Sequence, residues 1–312
     1  MLDALHINDG SYNRRIFYAG GTGTTYFQTW VKPRNVNFVH FFVLGGGSGG
    51  GGGQSSTTGT ARRGGGSGAS AGFVTGLFSA NMLPDTLFIN VGAGGAGGAG
   101  LTSPTNGASG ALSYVMIYPD TGFTATNVVL QSGAAGPTGG VAGITNPANG
   151  GTAGTVWAGT GSILQDLGLI SAYAGQNGVV GQTTPVPTNI SISGITTGGG
   201  VGAGTNGATP QNGGNIVGGG IVPTISGGTS ASTTTVNGSG GYMSSIPSVS
   251  GLAYRQLIFT GGAGGASSNA GAGGDGGNGA YGCGGGGGGA GVTNLGGAGG
   301  RGGDGLVIIT CW

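Results

Sequence analysis

Residues 295–304 read LGGAGGRGGD, so Leu295, Ala298, Arg301 and Asp304 recur every third position with two glycines between. Ala93, Ala96 and Ala99 keep the same phase in VGAGGAGGAG. So do Ala272, Asp275, Asn278 and Tyr281, with Gly-Ala in place of the last glycine pair, and Ser67, Ser70 and Phe73 more loosely. A period of three is neither that of an α-helix nor that of a strand. It belongs to an extended left-handed helix with three residues per turn. Collagen uses that period with one glycine in three and abundant proline; here two positions in three are glycine. Such a helix has two bare faces and one decorated face. Bare faces let backbones approach closely, and their N–H and C=O groups must then bond to neighbouring helices. The expected fold class is all-β with polyglycine-II helices: a lattice or sandwich of glycine helices bracketed by short strands, without substantial α-helix.

Composition narrows this further. Glycine and proline account for 85 and 11 residues, or 96 of 312. Glycine inside a helix costs about 1 kcal/mol relative to alanine, which excludes extended α-helical architecture. Charged residues are 5% of the chain, with Lys32 the one lysine and no glutamate. The net charge of +1 offers no basic stripe for reading a phosphate backbone, so no nucleic-acid partner is expected. Disorder usually pairs low hydrophobicity with high net charge; a mean hydropathy of +0.16 points to folding or assembly instead. A flexible linker would not hold the GGX phase through residues 295–304. Ordering the backbone costs roughly 1–2 kcal/mol per residue, so dense backbone packing, Cα–H···O contacts and flanking hydrophobic strands must offset it.

Strand-like runs separate the glycine tracts. Residues 26–44 read as two strands around the turn Lys32-Pro33-Arg34-Asn35, the second apolar on both faces. Further strands are expected at 87–91, 113–118, 127–130, 255–260 and 306–312. These divide the chain into an attachment segment (1–25), a first half of the glycine module (26–130), an insert (131–254) and a second half (255–312). The insert is rich in Thr, Asn and Pro, its glycine loses phase, and it reads as loops and short strands. Residues 162–170 (SILQDLGLI) are its one candidate for a short helix.

The start, MLDALHINDG, has neither the basic nor the apolar region of a secretory signal. Residues 36–44 fall far short of the roughly 20 apolar residues of a membrane-spanning helix. Cys283 and Cys311 are expected free.

Three pieces in order carry a resemblance: WVKPRNVNFVHFFVLGGGSGGGGG at 30–53, LPDTLFINVGAGGAGG at 83–98 and GGAGGRGGDGLVIITCW at 296–312. The chain resembles the glycine-rich domain of tailed-phage tail-fibre and adhesin virion proteins of the polyglycine-II sandwich type, over 26–130 and 255–312. The resemblance implies a virion-surface protein made in the host cytoplasm. Its loops between glycine helices would contact a bacterial surface glycan or outer-membrane protein. Other virion proteins, of the fibre shaft or capsid, would be partners, and a homo-oligomer is expected, with a trimer preferred. A capsid spike, head fibre or decoration protein is the alternative, and a cellular glycine-rich matrix protein a third.

Chemistry-bearing motifs are weak. Residues 45–50 contain G-x-G-x-x-G, and 46–50 match G-x-S-x-G around Ser48, but neither is followed by helix-forming sequence. His6, His40, Cys283 and Cys311 lack metal-ligand spacing. Asp275 and Asp304 read as solvated polar tips. No catalytic residue, metal or cofactor is nominated. The receptor-contact candidates interrupt the glycine: Gln54, Arg62, Arg63, Thr102, Asn106, Trp157, Tyr173 and Tyr242, aromatics and arginines being favoured at binding hot spots. Leu5, Ile7, Arg14, Arg15 and Phe17 are the candidates for attachment to the particle.

Overall fold

The structure, a computed structural model, describes residues 13–20, 26–57, 59–119, 127–132, 140–143, 150–154, 168–181, 188–218, 222–230, 243–244, 258–292 and 295–312. Its strands are β1 (Asn13–Tyr18), β2 (Gln28–Val31), β3 (Phe38–Leu44), β4 (Ser55–Ser56), β5 (Phe73–Ser79), β6 (Thr86–Asn90), β7 (Tyr114–Met116) and β8 (Val128–Gln131). Next come β9 (Gly168–Tyr173), β10 (Ile190–Ser191), β11 (Ile216–Val217), β12 (Met243–Ser244), β13 (Ile258–Phe259), β14 (Gly291–Val292) and β15 (Leu306–Cys311). A 3-10 turn, Ala80–Met82, follows β5.

Two antiparallel sheets form the base, ordered β1-β15-β3-β5-β9 and β2-β6-β7-β8. The alternation of β3 explains their packing. Val39, Phe41 and Val43 face a core shared with Trp30, Leu87, Ile89 and Val115 of the smaller sheet. Phe42 and Leu44 face the opposite side, with Leu306, Ile308 and Phe259. A bulge between β7 and β8, where Val115 pairs with Leu130 and Met116 with Val128, lets Val129 and Leu130 both enter the shared core. The expected turn at 32–35 is present, with Asn35 at φ 62°, but it joins strands of different sheets rather than a hairpin. Residues 168–170, expected in a helix, lie in β9, where alternate side chains line the sheet; the rest of that candidate lies outside the described residues.

From these sheets the glycine tracts extend, and their hydrogen bonds repeat every third residue. In tract 45–54, Gly47, Gly50 and Gly53 donate to the carbonyls of Gly303, Gly300 and Gly297, each at 2.9 Å. Gly46, Gly49 and Gly52 donate to Ala111, Ala108 and Thr105; Ser48, Gly51 and Gln54 donate to Ala69, Gly66 and Arg63. The carbonyls accept from three further tracts: Gly47 and Gly50 from Gly95 and Gly98, Gly49 and Gly52 from Gly140 and Gly143, Ser48 and Gly51 from Gly285 and Gly288. Partner numbers fall along the tract for the donors and rise for the acceptors. One tract is therefore ringed by antiparallel and parallel neighbours, the arrangement that three residues per turn produces.

Glycine is required here for space. A Cβ on Gly47 would lie 2.0 Å from the Cys283 carbonyl oxygen, and one on Gly50 2.0 Å from that of Gly286. Positive φ, glycine's other use, is confined among the described glycines to Gly59, Gly207 and Gly282. A lattice that also carries L-residues at its third positions has reason to keep φ negative throughout.

Two expectations are corrected. The insert keeps the phase in short pieces: Gly140 and Gly143 donate to Gly49 and Gly52, Gly151 and Gly154 to Ser67 and Ser70, Gly199 and Gly202 to Gly68 and Gly65. Each piece is only a turn or two, so no long GGX run announces it. Second, Asp275 and Asp304 are not merely solvated. Asp275 Oδ1 accepts from Ala298 N at 2.7 Å, and Asp304 Oδ1 from Gly94 N at 2.8 Å. Asn278 does the same for Arg301 N, Asn177 for Ala153 N and Thr105 for Ala99 N. At the border of the lattice a backbone N–H has no further helix to donate to, and a short acceptor on the adjacent helix serves it instead.

Candidate functional site

Strands enter or leave the tracts at one end, so the connecting loops gather at the other. This tip is built from residues 54–63, 99–106, 204–211, 266–272 and 290–296. The tracts fix where each loop starts, and a few backbone pairs join the loops. Gln54 bridges Leu101, β4 runs parallel to β14, and Arg62 bridges Thr205 with bonds of 2.8 Å in both directions.

Arg62 lies at the centre of this arrangement. It is fully buried. Its Nη1 donates to the Gly291 carbonyl at 2.9 Å, and its Nη2 donates to Asn269 Oδ1 at 3.1 Å. Asn269 Oδ1 also accepts from Thr205 Oγ1 at 2.9 Å. The side chain thus ties loop 54–63 to loops 266–272 and 290–296 directly, and loop 204–211 joins through Asn269 and the Arg62 backbone. Burial lowers the guanidinium pKa below its ordinary value, since the charged form loses its water. Arg62, expected to contact a receptor, is corrected to an internal clamp. A buried arginine is rare enough that sequence reasoning places it outside by default.

The other candidates separate. Arg63 and Gln54 are half-buried beside each other, Arg63 N donating to Gln54 Oε1 at 3.3 Å. Thr102 and Asn106 are exposed on the neighbouring loop, where Asn106 Oδ1 accepts from Ala142 N at 2.8 Å. Tyr173 is at the other end of the molecule, on β9, stacked on Phe73 with ring centroids 4.6 Å apart. Trp157 and Tyr242, like Leu5 and Ile7, lie outside the described residues. Arg14, Arg15 and Phe17 belong to β1, hydrogen-bonded to β15, and Phe17 packs on the shared core. They are thus part of the base rather than of a separate attachment segment.

Thr57, Thr60 and Thr105, in the glycine-interrupting stretches 54–63 and 101–106, are exposed at the tip, and so are Asn206 and Thr209, which the sequence reading did not single out. Thr60 Oγ1 donates to the Thr57 carbonyl at 2.7 Å, and Asn206 Oδ1 accepts from Ala208 N and Thr209 N at 3.0 Å each. Gly59 at φ 83° and Gly207 at φ 95° supply the turns. The signal was available: each positive-φ glycine follows hydroxyl or amide residues that favour turns. The surface that results is nearly neutral and offers hydroxyls and carboxamides. Such groups recognise hydroxylated or amide ligands by hydrogen bonds rather than by charge. Among the described residues, no group of His, Cys or acidic side chains could hold a metal ion. Ser48 is buried, and its Oγ accepts from Ala69 N at 2.8 Å. The G-x-S-x-G match is therefore part of the lattice.

No curated protein is significantly similar to the chain in sequence. The model of one family, described as a glycine-rich domain, matches residues 19–312, which includes the stretch expected to be an insert. The chain belongs to this glycine-rich domain family.

Proposed function

We propose that the protein is a non-enzymatic phage virion protein, a fibre- or spike-tip adhesin whose tip loops bind a receptor on the bacterial surface. The observation that supports this most is the anchoring of the tip. Loops of Thr, Asn and Ser sit on a lattice with little room to move and are tied together by buried Arg62. Loops held in advance lose less entropy on binding. The neutral hydroxyl and amide surface suits a glycan or a polar protein loop better than an anionic polymer.

A second reading, a capsid spike, head fibre or decoration protein, has its own support. The exposed aromatics among the described residues, Tyr18, Tyr26, Phe38, Tyr118 and Tyr173, are in or within two residues of base strands, and the tip loops contain none. Aromatics are favoured binding anchors, so the base suits attachment to the particle under either reading. Purified protein should bind host cells and compete with infection if it is an adhesin. Replacing residues 59–61 with Gly-Ser should abolish that binding without lowering the melting temperature. Binding to capsids alone would favour the second reading. Because β1 is part of the base, an attachment test by deletion should remove residues 1–12 and not 1–25.

A further inference from the structure

The larger sheet has two edges of different character. At one, β1 (NRRIFY) carries Arg14 and Arg15, and charge on an edge strand discourages pairing with a further strand. At the other, β9 (GLISAY) has no charge, no proline and no register shift against β5. Among the described residues, nothing pairs with β9 on its outer side. Two large apolar side chains on one face of it are open, Leu169 at 78% exposure and Tyr173 at 51%, with Ser171 between them.

We propose that β9 pairs antiparallel with β9 of a second copy about a two-fold axis at Ser171. Residues opposite each other in an antiparallel pair share a face. With Ser171 at the axis, Leu169 lies opposite the partner's Tyr173 and Tyr173 opposite the partner's Leu169. Ile170 lies opposite the partner's Ala172. Moving the axis by one residue sets Leu169 (axis at Ile170) or Tyr173 (axis at Ala172) opposite Ser171, so the Ser171 axis is the register that sets the two exposed apolar side chains against each other. The pairing also continues a row already apolar across the sheet. Tyr18, Leu306, Leu44, Phe73 and Tyr173 are successive cross-strand partners, and the Phe73–Tyr173 stack ends at the open edge. A net charge of +1 gives two copies almost no mutual repulsion. An isologous contact of this kind closes at two, unlike the trimer expected from the resemblance.

The test is sedimentation of the full chain as wild type, Leu169→Lys and Ser171→Cys. The wild type should be a dimer. Leu169→Lys, which puts a cation on the edge, should raise the dissociation constant about tenfold or more at unchanged melting temperature. Ser171→Cys should form a disulfide-linked dimer on mild oxidation, the two introduced thiols facing each other at the axis. The native thiols will not compete: Cys283 and Cys311 are buried, and burial pushes the Cys283 thiol up to about 12. A monomeric wild type with no cross-link in Ser171→Cys overturns the proposal. So does any assembly, trimer included, that Leu169→Lys leaves intact. If Leu169→Lys fails to fold, the cross-link decides alone.

Discussion

The base and the lattice satisfy the same requirement by opposite means. In both, every buried N–H and C=O needs a partner. In the base, flat ladders supply the partners, and large side chains above and below hold the ladders together, as Phe41 does between Trp30 and Phe78. In the lattice, neighbours lie all round an inner helix such as 45–54, and they reach hydrogen-bonding distance because the side chains between them are missing. A core side chain in the base stabilises by filling volume; a glycine in the lattice stabilises by leaving it empty. The sharpest contrast is thus between deleting a side chain in one region and adding one in the other.

The largest effect is expected from Phe41→Ala. Phe41 is fully buried in the shared core, and truncating such a residue costs about 3–5 kcal/mol. Chemical denaturation should show that loss as a lower midpoint, with the base and the lattice unfolding together. Separate transitions would mean that the lattice does not depend on the sheets.

Gly299→Val makes the opposite change. A Cβ at 299 would lie 2.0 Å from the carbonyl oxygen of Gly50, a member of the ringed central tract. Backbone on both sides leaves nothing flexible to yield, so the loss should reach about 3 kcal/mol, at the upper end for overpacking. An unchanged melting temperature would identify these tracts as passive linkers and remove the rigid platform from the adhesin reading.

How much of this was legible follows from the same contrast. The GGX phase announces long tracts such as 295–304, because two glycines in three leave no other use for a period of three. Strands β3 and β15 are legible as apolar runs next to glycine. β5 and β9 are not: Phe73 falls on the GGX phase, and the glycines at 76 and 168 interrupt the strand pattern. Glycine is needed there for space: a Cβ on Gly76 would meet Leu130 Cδ1 of the other sheet at 2.8 Å, and one on Gly168 would meet the Phe78 ring of the neighbouring strand at 2.5 Å. The short tracts of the insert escape for another reason. A single turn of three-residue helix contains too few repeats to show a period, and it is ordered by neighbours far away in sequence. At the tip, local turn chemistry was readable, but the burial of Arg62 depends on four loops meeting.

Arg62→Ala tests that meeting point and should cost about 2–3 kcal/mol, the scale for leaving buried polar partners unpaired. It removes the donor to Gly291 O and Asn269 Oδ1. The damage should be local: faster amide exchange at residues 55–63 and 205–209, with residues 38–44 unchanged. Equal loosening of the base would show that the clamp holds the whole fold rather than the tip.

The border acceptors come next. Asp275→Ala leaves Ala298 N without its side-chain partner, and losing a cap of this kind costs about 1 kcal/mol. Asn278→Ala should behave alike through Arg301 N. Asp275→Asn, which keeps the acceptor oxygen and loses the charge, should restore the wild-type melting temperature. If it fails to do so, the carboxylate acts through its charge.

The smallest effect is expected at a decorated position beside these. Arg301 pairs with Asp304 on the surface, its side chain 45% exposed. Exposed ion pairs contribute about 0–1 kcal/mol. Asp304 keeps its separate task, accepting from Gly94 N, whether or not Arg301 is present. Arg301→Ser should therefore shift the melting temperature by no more than a degree or two, roughly what about 0.5 kcal/mol produces in a chain of this size. Its backbone N–H still reaches Asn278 and its carbonyl still accepts from Gly279 N, so the serine inherits both lattice bonds. Measured beside Gly299→Val, two positions away on the same helix, it isolates the lattice's rule: a side chain is harmless on the third position and ruinous on the two between. A loss at Arg301 as large as at Gly299 would mean that the decorated face is itself packed, and the rule would fail.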